Sequence, residues 1–255
     1  MDFFKYQGTG NDFILIDIRG QAIPDLNIQQ LCHRRFGIGA DGLMFLQDKL
    51  GYDFEMIYYN SDGNPSSMCG NGGRCIVKFA HTLGIGKYNH LHFLAIDGPH
   101  EAQVSGDSVA LGMKDVAEYE TRTEGVFILN TGSPHFVKFI ETEPADFDLL
   151  AYAKSIRYGS EFNAEGINVN IVQIVDENTL KMRTYERGVE DETYSCGTGV
   201  TAAALAYQLK TNLAKKEVRV FTMGGDLQVF SNKSNSGFKG VTLDGPATFV
   251  YKGRF

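Results

Sequence analysis

Met68-Cys69-Gly70-Asn71-Gly72-Gly73-Arg74 and Ser195-Cys196-Gly197-Thr198-Gly199-Val200-Thr201 decide how this chain is read. In each, a cysteine stands directly before Gly-polar-Gly, and an apolar, helix-forming run follows. A thiol at a helix N-terminus lies beside backbone N–H groups that have no partner in the helix, at the positive end of the helix dipole. That setting favours the thiolate over a thiol of ordinary pKa, roughly 8.5. The glycines allow close approach to the backbone, so the same loops suit a carboxylate or phosphate.

Working outward, the two stretches belong to an internal repeat. Asp41 precedes Cys69 by 28 residues, and Asn168 precedes Cys196 by the same 28. Both lie in strand-like runs, residues 39–46 and 166–172. Upstream, Thr9-Gly10-Asn11-Asp12-Phe13 parallels Thr131-Gly132-Ser133-Pro134-His135-Phe136. Tyr59-Asn60 and Tyr185-Glu186 each stand shortly before their cysteine. Matching signposts in one order mark two homologous halves, the second beginning near residue 116.

The first half reads as strands at 13–18, 43–47 and 54–59, with a short helix capped by Asp25 or Asn27 that ends near Gly37. Ile76, Phe79, Ala80 and Leu83 give the run after Cys69 a helical period, stopped by Gly84. Short strands follow from 91 to 113. The second half repeats this with strands at 126–130, 136–140, 167–175 and 179–185. Asp146 is expected to start a helix carrying Phe147, Leu150, Ala153 and Ile156. Residues 200–207 are apolar nearly all round, which describes a helix buried on every side. Strands at 218–222, 227–230, 241–244 and 248–252 close the chain. The fold expected is α/β (α+β), with two pseudo-symmetric lobes, each a curved, mainly antiparallel sheet wrapped around a central buried helix.

Bulk properties exclude several functions. A net charge of −7, with Arg34-Arg35 and Lys215-Lys216 the only basic pairs of note, argues against nucleic-acid binding. No apolar run approaches the roughly 18 residues of a membrane helix, and the N-terminus lacks a signal-peptide core. A cytoplasmic location with reduced thiols is expected. Cys32, Cys69, Cys75 and Cys196 show no CxxC spacing, so no metal site is expected; Cys32 and Cys75 read as small core residues.

Two poised thiols in equivalent positions suit a reaction with two mirror-related proton positions. If the halves face one bound molecule, a thiolate removes a proton and a thiol delivers one from the other side, which is racemisation or epimerisation at carbon. The N–H groups of the two glycine loops would stabilise the anion through the substrate carboxylate. A small-anion-binding protein and a redox sensor built on the two thiols are the alternatives outside this class.

The chain resembles the diaminopimelate epimerase family along nearly its whole length. The resemblance rests on residues 8–13, Arg35-Phe36-Gly37-Ile38-Gly39-Ala40-Asp41-Gly42, Tyr59-Asn60-Ser61-Asp62-Gly63, the Cys69 loop, and Tyr185-Glu186-Arg187-Gly188 leading into the Cys196 loop. It implies interconversion of LL- and meso-2,6-diaminopimelate with no cofactor, Cys69 and Cys196 forming the acid/base pair. His135 and Glu186 would tune their protonation. Asn11, Asn60, Asn168, Glu186 and Arg187 would hold the substrate, with the backbones of Gly70-Asn71 and Gly197-Thr198. The resemblance also implies lobes of 1–115 plus 245–255 and of 116–244, and a homodimer with Tyr251 at its contact. Ser133 stands where many relatives have Asn, and Gly42 where some have Gln. A related PLP-independent racemase or PhzF-like isomerase is the alternative within the fold, although PhzF-like proteins work without the cysteine pair.

Overall fold

In the computed structural model, which describes residues 1–214 and 216–255, the chain forms two units, Met1–Leu111 with Gly245–Phe255, and Gly112–Asp244. Lys215, and with it half of the Lys215-Lys216 pair, lies outside the described residues.

In the first unit β1 (Asp2–Gly8) and β2 (Asn11–Asp17) form an antiparallel hairpin. The chain crosses through the single turn of α1 (Ile28–Cys32), capped by the Asn27 side chain, to β3 (Gly42–Gln47), which runs parallel to β2. Next come β4 (Phe54–Asn60), antiparallel to β3, and the long helix α2 (Gly70–Thr82). β5 (His90–Ala95) then runs parallel to β4, followed by the antiparallel strands β6 (Gly98–Ser105) and β7 (Ser108–Gly112).

The second unit repeats this course. β8 (Tyr119–Thr121) adds to β9 (Val126–Asn130), which is antiparallel to β10 (Pro134–Phe139). A crossover through α3 (Leu149–Arg157) leads to β11 (Asn168–Ile174), parallel to β10. β12 (Thr179–Glu186) is antiparallel to β11, and the short β13 (Asp191–Thr193) folds onto it. The helix α4 (Gly197–Thr211) precedes β14 (Glu217–Thr222), parallel to β12, and the antiparallel β15 (Gly225–Ser234) and β16 (Gly237–Pro246). Finally β17 (Thr248–Arg254) lies antiparallel to β1 in the first unit. Leaving aside β8, β13 and β17, the two units share one order of antiparallel and parallel steps, with the long helix in the same place.

Each long helix is wrapped by its own sheet. α4 touches β9, β10, β11, β12, β14 and β15, which is possible only if the strands curve around it. Its Val200, Leu205 and Tyr207 are buried among Leu129, Val137, Val218, Val229 and Leu243, each large side chain contributing roughly 1.5–3 kcal/mol of transfer free energy. α2 buries Ile76, Val77, Phe79 and Ala80 against β1, β2, β3 and β6.

Two local expectations are corrected and one strand is added. The helix expected from Asp146 begins later: Pro144–Asp146 form a 3-10 turn and Asp148 caps α3 by accepting from the Ala151 N–H. Phe147 therefore lies outside the helix, and Leu149 and Ala153 are its fully buried residues while Leu150 is exposed. The short helix ends at Cys32, with Gly37 reached through turns. β1 is an added strand, and its pairing to β17 joins the two ends of the chain.

Candidate active site

Cys69 and Cys196 occupy the same structural position, the residue immediately before a long helix. Their backbones are extended (φ −114°, ψ 128° and φ −118°, ψ 112°) and the helical conformation begins at the following glycine. The first intrahelical bonds run from Gly73 N–H to the Cys69 carbonyl (2.7 Å) and from Val200 N–H to the Cys196 carbonyl (2.8 Å). The N–H groups of residues 70–72 and 197–199 thus lie ahead of the helix ladder, where an anion is stabilised.

In the first unit the half-buried Cys69 has its sulfur 3.7 Å from Asn11 Oδ1. The Asn11 amide is oriented by donating to Asp41 Oδ2 at 2.6 Å. Behind it, Asp12 accepts from Arg34 and Lys5. Burial pushes the Asp12 carboxyl up, but the hydrogen bonds and charges of Arg34 and Lys5 outweigh it and hold it at about 2. Asn71 turns its side chain inward, accepting from Thr9 Oγ1 (3.3 Å) and Arg74 Nη2 (3.0 Å), so its backbone faces the loop. Arg74 is fully buried and also donates to the Gly70 carbonyl. Asn60, at the end of β4, is half-buried and opposite Gly42. Gly42 has a steric cause here: a Cβ there would lie 2.5 Å from the Tyr58 ring and 2.7 Å from the Tyr59 carbonyl.

In the second unit the sulfur of the buried Cys196 lies 3.4 Å from Thr198 Oγ1, which is 2.9 Å from His135 Nε2. His135 is fully buried, and desolvation, aided by the Arg187 charge, lowers its pKa to about 3. Asn168 donates to Ser133 Oγ (2.8 Å) and to the Pro134 carbonyl, and accepts from the Arg187 N–H (2.9 Å). Ser133, short as it is, keeps a hydrogen bond to Asn168 and one to Arg187 Nη2 (3.4 Å). The Arg187 guanidinium also donates to the Glu165 carbonyl. Glu186 is half-buried and accepts from the Thr193 hydroxyl. The Thr131 hydroxyl donates to the Thr198 carbonyl and braces the loop.

Within its unit, each cysteine is thus gathered with expected site residues: Asn11, Gly70 and Asn71 around Cys69; His135, Gly197 and Thr198 around Cys196. Asn168 and Arg187 are bonded to each other and to Ser133, two residues before His135. Tyr251 stands apart on β17, where its ring meets Phe3 edge-on at 5.8 Å and is partly exposed beside Phe249 and Val250. Cys32 and Cys75 are core residues whose burial pushes their thiols up to about 11 and about 12. Among the described residues no cluster of His, Cys, Asp and Glu is arranged to hold a metal, and no helix is long and apolar enough to cross a membrane. Reasoning from sequence missed Lys5, Arg74 and Asn170. The signal for Asn170 was a second asparagine, two residues after Asn168 and so on the same face of the strand Asn168-Val169-Asn170-Ile171-Val172.

The family model described as diaminopimelate epimerase matches residues 3–119 and 127–250. The chain is 49% identical to a Flavobacterium psychrophilum diaminopimelate epimerase over 99% of both chains. It is 38% identical to the Aquifex aeolicus diaminopimelate epimerase, covering 100% of this chain and 97% of that one. Among solved structures, a Bacillus anthracis phenazine biosynthesis protein of the PhzF family shares the fold with a TM-score of 0.74, at 12% identity over 99% of this chain and 97% of that one.

Proposed function

This chain belongs to the diaminopimelate epimerase family of isomerases, and we propose that it interconverts LL- and meso-2,6-diaminopimelate by a two-base reaction at Cys69 and Cys196. The observation that supports this most is the identical placing of the two cysteines, each ahead of a glycine loop and a buried helix in its own unit.

In the proposed reaction the thiolate of one cysteine takes the α-proton and becomes a thiol. The electron pair of the broken C–H bond stays on the substrate, delocalised into its α-carboxylate. The thiol of the other cysteine gives its proton to the opposite face and becomes a thiolate. The inverted product leaves the two cysteines with exchanged protonation states, and the reverse reaction resets them. Backbone N–H groups of Gly70-Asn71 and Gly197-Thr198 hold the carboxylate, where fixed dipoles stabilise the charge that develops. Asn11, Asn60, Asn168, Glu186 and Arg187 bind the remaining polar groups of the substrate, and His135 and Glu186 set the protonation of the pair. Only protein groups carry protons, so no cofactor is required.

The thiolate chemistry supports action in a reducing, cytoplasmic compartment. The exposed Phe249, Val250 and Tyr251 support a homodimer formed through β17. The test of function is to incubate purified enzyme with LL-diaminopimelate and no additive, and to resolve the stereoisomers by chiral chromatography. Appearance of the meso form at equilibrium is the expected result, and an unchanged LL sample would overturn the proposal.

A further inference from the structure

One buried polar network in the second unit leads from β11 to the Cys196 loop. Asn170 Nδ2 lies 3.2 Å from the Phe136 carbonyl and 3.1 Å from His135 Nδ1, while its Oδ1 accepts from the Thr184 hydroxyl at 3.0 Å. A carbonyl only accepts, so the group facing Phe136 is the NH2 group, and the amide cannot be turned over. Its second N–H then points at His135 Nδ1, which must present a lone pair. His135 is neutral in this fully buried position, so its single proton is on Nε2, facing Thr198 Oγ1 at 2.9 Å. With one lone pair of that oxygen taken by His135, the hydroxyl can turn its own proton to the Cys196 sulfur, 3.4 Å away, and does so when the sulfur is a thiolate with no proton to give.

We propose that Asn170 is a positioning residue for the Cys196 thiol: it fixes the His135 tautomer, and through His135 and Thr198 it presents a hydrogen-bond donor to the sulfur. This deepens the two-base reading above and rests on it. A donor to the charged form favours the thiolate. The second glycine of the Gly197-Thr198-Gly199 loop is explained by the same network, since a Cβ at Gly199 would lie 2.6 Å from Asn170 Oδ1 and 3.3 Å from His135 Cε1. At the equivalent Gly72 the space is closed by the Met44 methyl, an apolar group. The space beside the second loop glycine is therefore polar in the second unit and apolar in the first. The charged groups beside this chain include Glu186, the last residue of β12, and Arg187 just after it, whose charge acts on His135.

The test reads each cysteine separately in the unliganded full-length protein. Nitrogen-15 NMR of histidine-labelled wild type is expected to show His135 protonated at Nε2 and bare at Nδ1. Alkylation by iodoacetamide is followed against pH, with mass spectrometry distinguishing Cys69 from Cys196. Because a midpoint, unlike a rate, is independent of access, the comparison is between midpoints. Asn170→Ala and Thr198→Val are each expected to raise the Cys196 midpoint by about one pH unit, a tenfold loss of thiolate below it, with Cys69 unmoved. Thr198→Ser, which keeps the hydroxyl, should retain the wild-type midpoint. A His135 proton on Nδ1, an unmoved Cys196 midpoint in Thr198→Val, or an equal shift of both cysteines would overturn the proposal. These readouts use no substrate, so they stand or fall apart from the epimerase assay.

Discussion

The paired glycines Gly72 and Gly199 should respond differently to the same substitution. In Gly199→Ala the new Cβ would lie 2.6 Å from Asn170 Oδ1 and 3.3 Å from both Cys196 Cβ and His135 Cε1. The amide must withdraw by about 0.8 Å to reach an ordinary contact of 3.4 Å, yet it is held by Thr184, Phe136 and His135. Overpacking of this kind costs about 1–3 kcal/mol. Loss of one buried hydrogen bond adds about 1 kcal/mol, and the better helix propensity of alanine returns about 1 kcal/mol. A net loss of about 1–3 kcal/mol follows, or a fall in melting temperature of about 3–10 °C for a chain of this size. In Gly72→Ala the close atom is the Met44 terminal methyl, the far end of a flexible side chain, so the propensity gain offsets most of the strain and stability should change by less than about 1 kcal/mol. Calorimetry of the two variants decides the matter. A Gly199→Ala protein as stable as Gly72→Ala would refute the view that the Asn170 network is rigid.

Four further outcomes are expected. Cys69→Ala and Cys196→Ala should each abolish epimerisation, measured by chiral chromatography, whereas a single Cys→Ser variant should still eliminate a leaving group from a halogenated analogue, a step that needs one base. The kcat/KM profile should be bell-shaped, because two interacting thiols titrate as a coupled pair and activity needs one of each form. Acid sensitivity has two sources. Asp12, at about 2 when folded and about 3.9 when unfolded, contributes about 1–2 kcal/mol above the unfolded value once solvent screening of the exposed Arg34 is allowed for, lost as pH falls from about 4 through about 2. His135 is depressed to about 3, so the unfolded chain takes up a proton that the folded one refuses, and stability falls as pH drops below about 6.5; urea titrations of Asp12→Asn and His135→Asn should show each slope flattened. Finally, Tyr251→Ala should shift sedimentation toward monomer.

The parts of the fold that were legible are those written locally. Glycines after each cysteine and the apolar run of residues 200–207 announce a buried helix without reference to anything distant. β1 was missed because Asp2-Phe3-Phe4-Lys5-Tyr6-Gln7-Gly8 buries a lysine, which is tolerated only through Asp12 and the Gly39 carbonyl, and because one of its two partner strands, β17, is at the other end of the chain. α3 was displaced because Asp146 and Asp148 offer the same capping chemistry, and only the 3-10 turn begun by Pro144 selects the later one. At the site, residue types at the cysteines and their loops could be read directly. The roles of Asn170, Thr184 and the Thr198 hydroxyl depend on which strands lie side by side, and that pairing is invisible in the order of residues.

Isotope incorporation tests the two-base claim most directly. LL-diaminopimelate is converted in deuterium oxide without added cofactor, and both stereoisomers are recovered early and analysed by mass spectrometry and NMR. With separate thiols on the two faces, deuterium should enter the α-carbon of the meso product while recovered LL substrate carries almost none. Equal early deuteration of recovered substrate and product would mean that one exchangeable base serves both faces, and it would contradict the assignment of Cys69 and Cys196 as a pair.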